Sequence, residues 1–250
     1  MVLPAGAFAP APVPARVGLC HTAAMREGIY FAESGEPRDM AESLCSAASE
    51  GPVQQSRGGG EGEERAPAQA RYLVSVHGGR LVAAARLLWG HDGAVPEYLG
   101  EALQLDRFTD VVDQRDIVLI DPLVTADGSI HGLRIQMLLA IMGFAVRHQV
   151  ELVVAECPPQ QLNTYLRAGM RPYAPARSAA HRPGDGGLIP MILVCRDRDH
   201  LHSVGSALAA LVHNPAPVPL LGALRARIRS AGTSAAAPAD TPADTPADTP

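Results

Sequence analysis

At 250 residues the chain is long enough for one large domain, and its net charge of −5 excludes broad binding along a phosphate backbone, which needs clustered positive charge. All 21 basic residues are arginine, beside abundant Ala, Gly and Pro, a coding bias of a GC-rich genome rather than a functional signature. The four cysteines, Cys20, Cys45, Cys157 and Cys195, form no CxxC pair. Neither a disulfide framework nor a metal site follows from their spacing.

Residues 1–69 read as a low-complexity N-terminal region: Ala, Pro, Gly and Val over 1–18, a short helix within 22–45, and a flexible insertion over 46–69. The apolar start lacks the basic residues of a secretory signal. A foldable domain is expected over 70–214, long enough to bury a core without staples. It opens with "RYLVSVHGGRLVAAARLLWG" (71–90), two apolar runs around a His-Gly-Gly turn, the pattern of a hairpin. Residues 94–108 are weakly helical or irregular. "DIVLIDPLV" (116–124) is a strand in which Pro122 removes a ladder donor, implying a bulge or a splayed edge.

A turn-rich loop (125–132) leads into a strongly apolar helix from Leu133 to His148. Its greasiest part, 135–146, falls short of the ~20 residues that span a bilayer, so it is expected inside a protein core, with the cytoplasm as compartment. "ELVVAEC" (151–157) is a buried strand. Pro159 opens a short helix that ends at Gly169, suited to the left-handed position after a helix. "LIPMILVCR" (188–196) is a further strand, and Asp197 caps a last helix carrying His200 and His202, read as surface residues. Residues 215–250, ending in a repeated "PADT" unit, read as a Pro/Ala-rich disordered tail. Strand–helix–strand across 116–157 implies a parallel pair, and the hairpin implies antiparallel neighbours. The fold class is α/β (α+β), one mixed sheet covered by helices.

Three stretches carry a family resemblance: "VAAARLLWG" (82–90), "HGLRIQMLLAIMGFAVRHQVELVVAECPPQQLNTYLRAGMRPY" (131–173) and "LIPMILVCRDRDHLHSVGSALA" (188–209). Their order resembles the GNAT acyltransferase fold over residues 71–213. Within that superfamily it is most similar to the N-acyl amino acid synthases and the acyl-homoserine lactone synthases. The resemblance implies transfer of an acyl group, a fatty one, from a pantetheine thioester to the amine of an amino acid or small amine. It also implies acyl-CoA or an acylated carrier protein as donor and no metal.

The resemblance assigns residues as well. Leu123 and Val124, past Pro122, and the loop His131, Gly132, Leu133 and Arg134 fall on the cofactor side. Asn163 is placed to hold a pantetheine amide, and Tyr165 to protonate the leaving sulfur. Asp121 and Glu156 are the nearby carboxylates for the amine. Arg86 suits an acceptor carboxylate or a structural ion pair, and Trp89 an acyl pocket or the core. Two departures stand out. The glycine-rich loop keeps Gly132 but has Arg134 and Gln136 at later small positions. Near Ile120–Asp121 an apolar residue and an acid replace the acid and base of the synthases, and the acceptor-side helix, nearest to 25–37, is shortened. These departures keep open a second reading, a GNAT-fold binding module without catalysis.

Overall fold

The computed structural model describes residues 25–49, 69–93, 95, 97–126, 132–176 and 187–233. In chain order the elements begin with β1 (Gly28–Ala32), α1 (Glu36–Ser49), β2 (Arg71–His77) and β3 (Arg80–Trp89). After α2 (Glu97–Ala102) come β4 (Ile117–Thr125), α3 (Leu133–Arg147), β5 (Leu152–Cys157), α4 (Leu162–Ala168) and β6 (Arg171–Pro172). β7 (Ile189–Val194), α5 (Arg198–Ser203) and α6 (Val218–Thr233) complete the set.

One seven-stranded sheet runs β1-β2-β3-β4-β5-β7-β6. Every neighbouring pair is antiparallel except β4 and β5, which α3 joins in parallel. This is the mixed sheet expected from the sequence. The hairpin turns at Gly78 (φ +58°) and Gly79 (φ +68°), the two positive φ values that a tight two-residue turn needs.

Strand alternation divides the core into two layers. On one face Leu73, Ala85, Leu87, Ile120, Val153 and Leu193 pack under α3, α4 and α5. There Met137, Leu138, Ile141 and Met142 are fully buried, each contributing ~1.5–3 kcal/mol by leaving water. On the other face Tyr72, Val74, Leu88, Leu119 and Val154 pack under α1 and α6. The segment 135–146 is thus a core helix, and among the described residues no helix is long and apolar enough to cross a membrane.

The chain departs from expectation at both ends of the domain. Instead of one short helix within 22–45, residues 28–32 add an edge strand to β2 and α1 lies over β2, β3 and β4. Within 215–250, expected as tail throughout, residues 218–233 form α6. Leu221, Leu224 and Ile228 face the sheet, and Arg225 pairs with the fully buried Asp197. Three apolar residues at helical spacing and one ion pair to a buried carboxylate offset the ordering entropy of a Pro- and Ala-rich stretch. The last helix expected from Asp197 onward breaks at Gly205 (φ +67°), after which Ser206 caps a 3-10 turn over Ala207–Leu211. His200 is not a surface residue: its Nε2–H donates to the Gly169 carbonyl at 3.0 Å. The PADT repeat lies outside the described residues.

Candidate active site

Pairing between β4 and β5 runs from Ile117↔Leu152 to Ile120↔Ala155 and stops there. Beyond that point β5 continues beside β7 through Glu156↔Pro190 and Cys157↔Ile189. β4 stays with β3 through Leu123↔Ala85 and Thr125↔Ala83. The two strands part at Asp121–Pro122, opening a gap in the middle of the sheet. Pro122 is the local cause: it has no N–H to continue a ladder. The register with β3 also shifts there, between Ala85 and Leu87, which is the bulge that the proline predicts. The strand is central rather than an edge.

On the α3 face a side chain holds the β4 side of the gap. Arg134, in the first turn of α3, donates from Nη1 to the Leu123 carbonyl at 2.9 Å and from Nη2 to Thr125 Oγ1 at 2.9 Å. Tyr165 on α4 stands beside the same guanidinium and Cys157, and is 2% exposed. Burial pushes its phenol up to about 12, with Arg134 opposing and Cys157 adding to the shift. It therefore keeps its proton at neutral pH and can only give one to a stronger base. Burial also raises the Cys157 thiol to about 11, and that thiol donates to the Pro158 carbonyl at 3.2 Å. A thiol so held is a poor nucleophile.

The α1 face carries a different set. Arg86 donates from Nε to the Asp121 carbonyl at 2.6 Å and from Nη2 to Asp121 Oδ2 at 2.9 Å. Tyr72 on β2 is the cross-strand partner of Arg86. Glu156 follows Ala155 on β5 and, by alternation with Leu152 and Val154, faces this same side. Tyr72, Arg86, Asp121 and Glu156 thus make a polar row across four neighbouring strands at the level of the gap. Exposure rises along it, from Tyr72 (1%) and Arg86 (9%) to the half-buried Asp121 and Glu156.

Several predicted residues are brought to the gap and others are not. Leu123 and Val124 lie on β4 past the bulge, and Gly132 (φ +80°) and Leu133 start α3. Asn163 is exposed, two positions and so about 200° around α4 from Tyr165, which separates the pair. Trp89, open in sequence between an acyl pocket and the core, lies away from the gap. It pairs with Val118, where β4 and β5 are still joined, and packs on Phe144 and His148 near the far end of α3. That end is about 20 Å along the helix from Arg134. Arg71 covers its ring, 4.9 Å from the centroid. His131 lies outside the described residues. A cleft of about 270 Å³ lined by Gly90, Gly93, Asp113 and Arg115 holds none of the predicted residues. Among the described residues no group of His, Cys, Asp and Glu is placed to hold a metal.

Tyr72 and Thr125 were not marked by the sequence. Tyr72 is legible only through register: counting back from the Gly78–Gly79 turn pairs it with Ala85. A register shift between Ser75 and Val76 moves its partner to Arg86.

No protein-family model matches the chain, and no curated protein matches it in sequence. Among solved structures it is similar to FeeM, an N-acyl amino acid synthase from uncultured soil microbes, at 10% identity and a TM-score of 0.53, covering 74% of this chain and 97% of that one. Also similar are BjaI, a CoA-dependent acyl-homoserine lactone synthase (15% identity, TM-score 0.40, 63% of this chain and 74% of that one) and a putative N-acetyltransferase from Lactobacillus plantarum (16%, 0.42, 66% and 94%). The likeness to FeeM is one of fold, and the fold is GNAT-like: a mixed central sheet flanked by helices.

Proposed function

We propose that this chain of GNAT-like fold is an N-acyltransferase. It moves an acyl group, a fatty one, from a pantetheine thioester to the amine of an amino acid or small amine. The observation that carries the reading is the β4–β5 gap, with a protonated phenol on one face and two carboxylates on the other.

The chemistry needs such a division. The amine nitrogen forms a bond to the thioester carbonyl carbon as the C–S bond breaks. The amine gives up a proton, and the departing sulfur takes one. Asp121 and Glu156 stand on the face from which an amine enters and are the groups to receive its proton. Tyr165 supplies a proton to sulfur on the opposite face. Cys157 takes no covalent part, so attack is direct.

The residues present fit a pantetheine arm in the gap. Beyond Ile120 the β5-facing edge of β4 has no strand partner among the described residues, and Leu123 and Val124 lie along it. Arg134 adds positive charge beside that edge, but its guanidinium is committed to Leu123 and Thr125 rather than to a diphosphate. A donor held chiefly through its acyl-pantetheine arm, whether on CoA or on an acyl carrier protein, suits this arrangement better than one held by its nucleotide. The fold likeness to an N-acyl amino acid synthase supports the same reaction class.

The test is a thioester panel. Long-chain and short-chain acyl-CoA and acylated carrier protein are incubated with the protein and a mixture of amines and amino acids, and free thiol and amide product are measured. Turnover of long-chain donors supports the reading. Turnover of acetyl-CoA alone replaces it with small-group acetylation. If no donor is turned over or shifts the melting temperature, the chain is a binding module.

A further inference from the structure

Tyr165 sits on a helix too short to hold itself. α4 has seven residues, and a helix of about two turns is marginal alone, because nucleation costs more than so few hydrogen bonds return. Its last carbonyls have no donor within the helix. Two are served locally: the Gly169 N–H donates to the Leu166 carbonyl at 2.9 Å, and the Met170 N–H to the Tyr165 carbonyl at 3.0 Å. Two more are served from a separate stretch of chain. Ser206 Oγ donates to the Ala168 carbonyl at 2.8 Å, and His200 Nε2–H to the Gly169 carbonyl at 3.0 Å. A carbonyl only accepts, so the imidazole carries a proton on Nε2 there. Burial, and then the Arg171 charge, hold His200 below the ordinary histidine range against the Gly169 bond and Asp197, so the ring is neutral at neutral pH.

The two donors are themselves braced. The His200 N–H donates to Asp197 Oδ1 at 3.3 Å, and Asp197 takes Arg171 from β6 and Arg225 from α6. Ser206 is 5% exposed, its N–H donates to the Leu201 carbonyl at 2.9 Å, and its Oγ accepts from the Leu208 N–H at 3.3 Å. Gly205, at φ +67°, turns the chain between the two, and the fully buried Leu201 lies against Gly169. A rigid segment thus grips α4 within about one turn of Tyr165. A proton donor needs such a hold, since a misplacement of about 1 Å costs about 100-fold in rate.

We propose that His200 and Ser206 are positioning residues for Tyr165: by holding the Gly169 and Ala168 carbonyls they fix the last turn of α4, and with it the place of the phenol at the β4–β5 gap. Neither touches substrate. Their effect on rate rests on the acyltransferase reading, in which Tyr165 gives its proton to the departing sulfur, but their effect on the phenol stands apart from turnover.

The experiment takes the full chain as wild type, H200L, H200Q and S206A, each with and without Y165F, on the acyl donor and amine that the wild type turns over. Leucine removes the N–H, glutamine returns one near the Nε2 position, and S206A removes a single oxygen, so the test stands if H200L does not fold. H200L and S206A should each lower kcat about tenfold with the donor KM within about twofold, and H200Q should recover most of the rate. With Y165F already present, H200L and S206A should lower kcat by no more than about twofold, because they act through the phenol. An equal loss in both backgrounds, as a merely structural role would give, overturns the proposal, and so does no loss in either. If no thioester is turned over, or Y165F alone leaves kcat unchanged, the reading of Tyr165 as the acid has failed, and carbon NMR of tyrosine labelled at Cζ decides the positioning alone. The Tyr165 signal is the one missing from Y165F. In the wild type burial holds that phenol near 12, so its signal should stay flat up to about pH 10.5. In H200L or S206A it should shift and titrate nearer the ordinary tyrosine value. A signal identical to wild type in both variants overturns the proposal.

Discussion

The Arg134 guanidinium lies across the place where β4 leaves β5, donating to the Leu123 carbonyl at 2.9 Å on one strand while standing beside Tyr165 at the other side of the gap. Two donors in a fixed fork serve two acceptors, Leu123 and Thr125, that β5 does not reach. Arg134→Met keeps much of the bulk and removes both donors. It should lower unfolding free energy by about 1–3 kcal/mol, since the Leu123 carbonyl loses its partner. Arg134→Lys should recover only part, because a point charge on a flexible stem cannot reproduce the fork. Urea denaturation of the three proteins checks this. Equal stability would show that the fork holds nothing.

Tyr165→Phe should lower kcat about 10- to 100-fold and leave the donor KM within about twofold, as expected for a proton donor used only as sulfur departs. Because the phenol sits near 12, the wild-type rate should show no fall from tyrosine ionisation up to about pH 10. Steady-state kinetics across pH 6–10 reads both. An unchanged kcat in the variant removes Tyr165 from the chemistry.

Asp197 is fully buried, caps α5 through the His200 N–H, and takes hydrogen bonds from Arg171 and Arg225. Burial alone would raise its carboxyl, but the Arg225 and Arg171 bonds outweigh it and hold the group below the usual carboxylate range. A depressed folded-state pKa contributes stability that is present above the unfolded value and is lost as pH falls through the folded one. Stability should therefore drop below about pH 4. Asp197→Asn should cost about 3–5 kcal/mol at neutral pH, by leaving two arginines without their counter-charge, and should flatten the acid limb. Thermal melts from pH 2.5 to 7 follow both effects. An acid limb unchanged in the variant would assign it to other carboxylates.

Gly169 ends α4 at φ +105°, and a Cβ there would sit 2.5 Å from Leu201 Cδ2. Gly169→Ala should destabilise by about 1–3 kcal/mol through backbone strain, with Leu201 shifting to make room. The loss should appear in the melting temperature more than in kcat, since α4 carries Tyr165 but Gly169 touches no substrate. A neutral substitution would mean that the turn relaxes easily.

The sequence marked the hairpin, the parallel pair around α3, the bulge at Pro122 and the Gly169 stop, because each is written in local residues: glycines at positive φ, a missing N–H, an apolar run of helix length. It marked α6 poorly. Proline and alanine dominate 215–250, and the residues that anchor the helix, Leu221, Leu224 and Arg225, act through a distant partner, Asp197. The site was half legible. Arg86, Asp121 and Glu156 do gather on one face, but Trp89 falls where the ladder is closed, a matter of register that composition does not carry. Tyr72 meets Arg86 only because one register shift moves its partner along β3 by a residue, and such a slip exchanges the faces of a strand.

On this reading the β4–β5 gap receives an acyl-pantetheine arm. A crystal structure with a non-hydrolysable long-chain acyl-CoA analogue addresses it directly. The arm should lie between Leu123–Val124 and Cys157, with its sulfur position within hydrogen-bond reach of the Tyr165 hydroxyl and the acyl carbonyl open toward Asp121 and Glu156. An analogue bound elsewhere on the surface, with Arg134 still on Leu123 and Thr125 beside an empty gap, would overturn this reading.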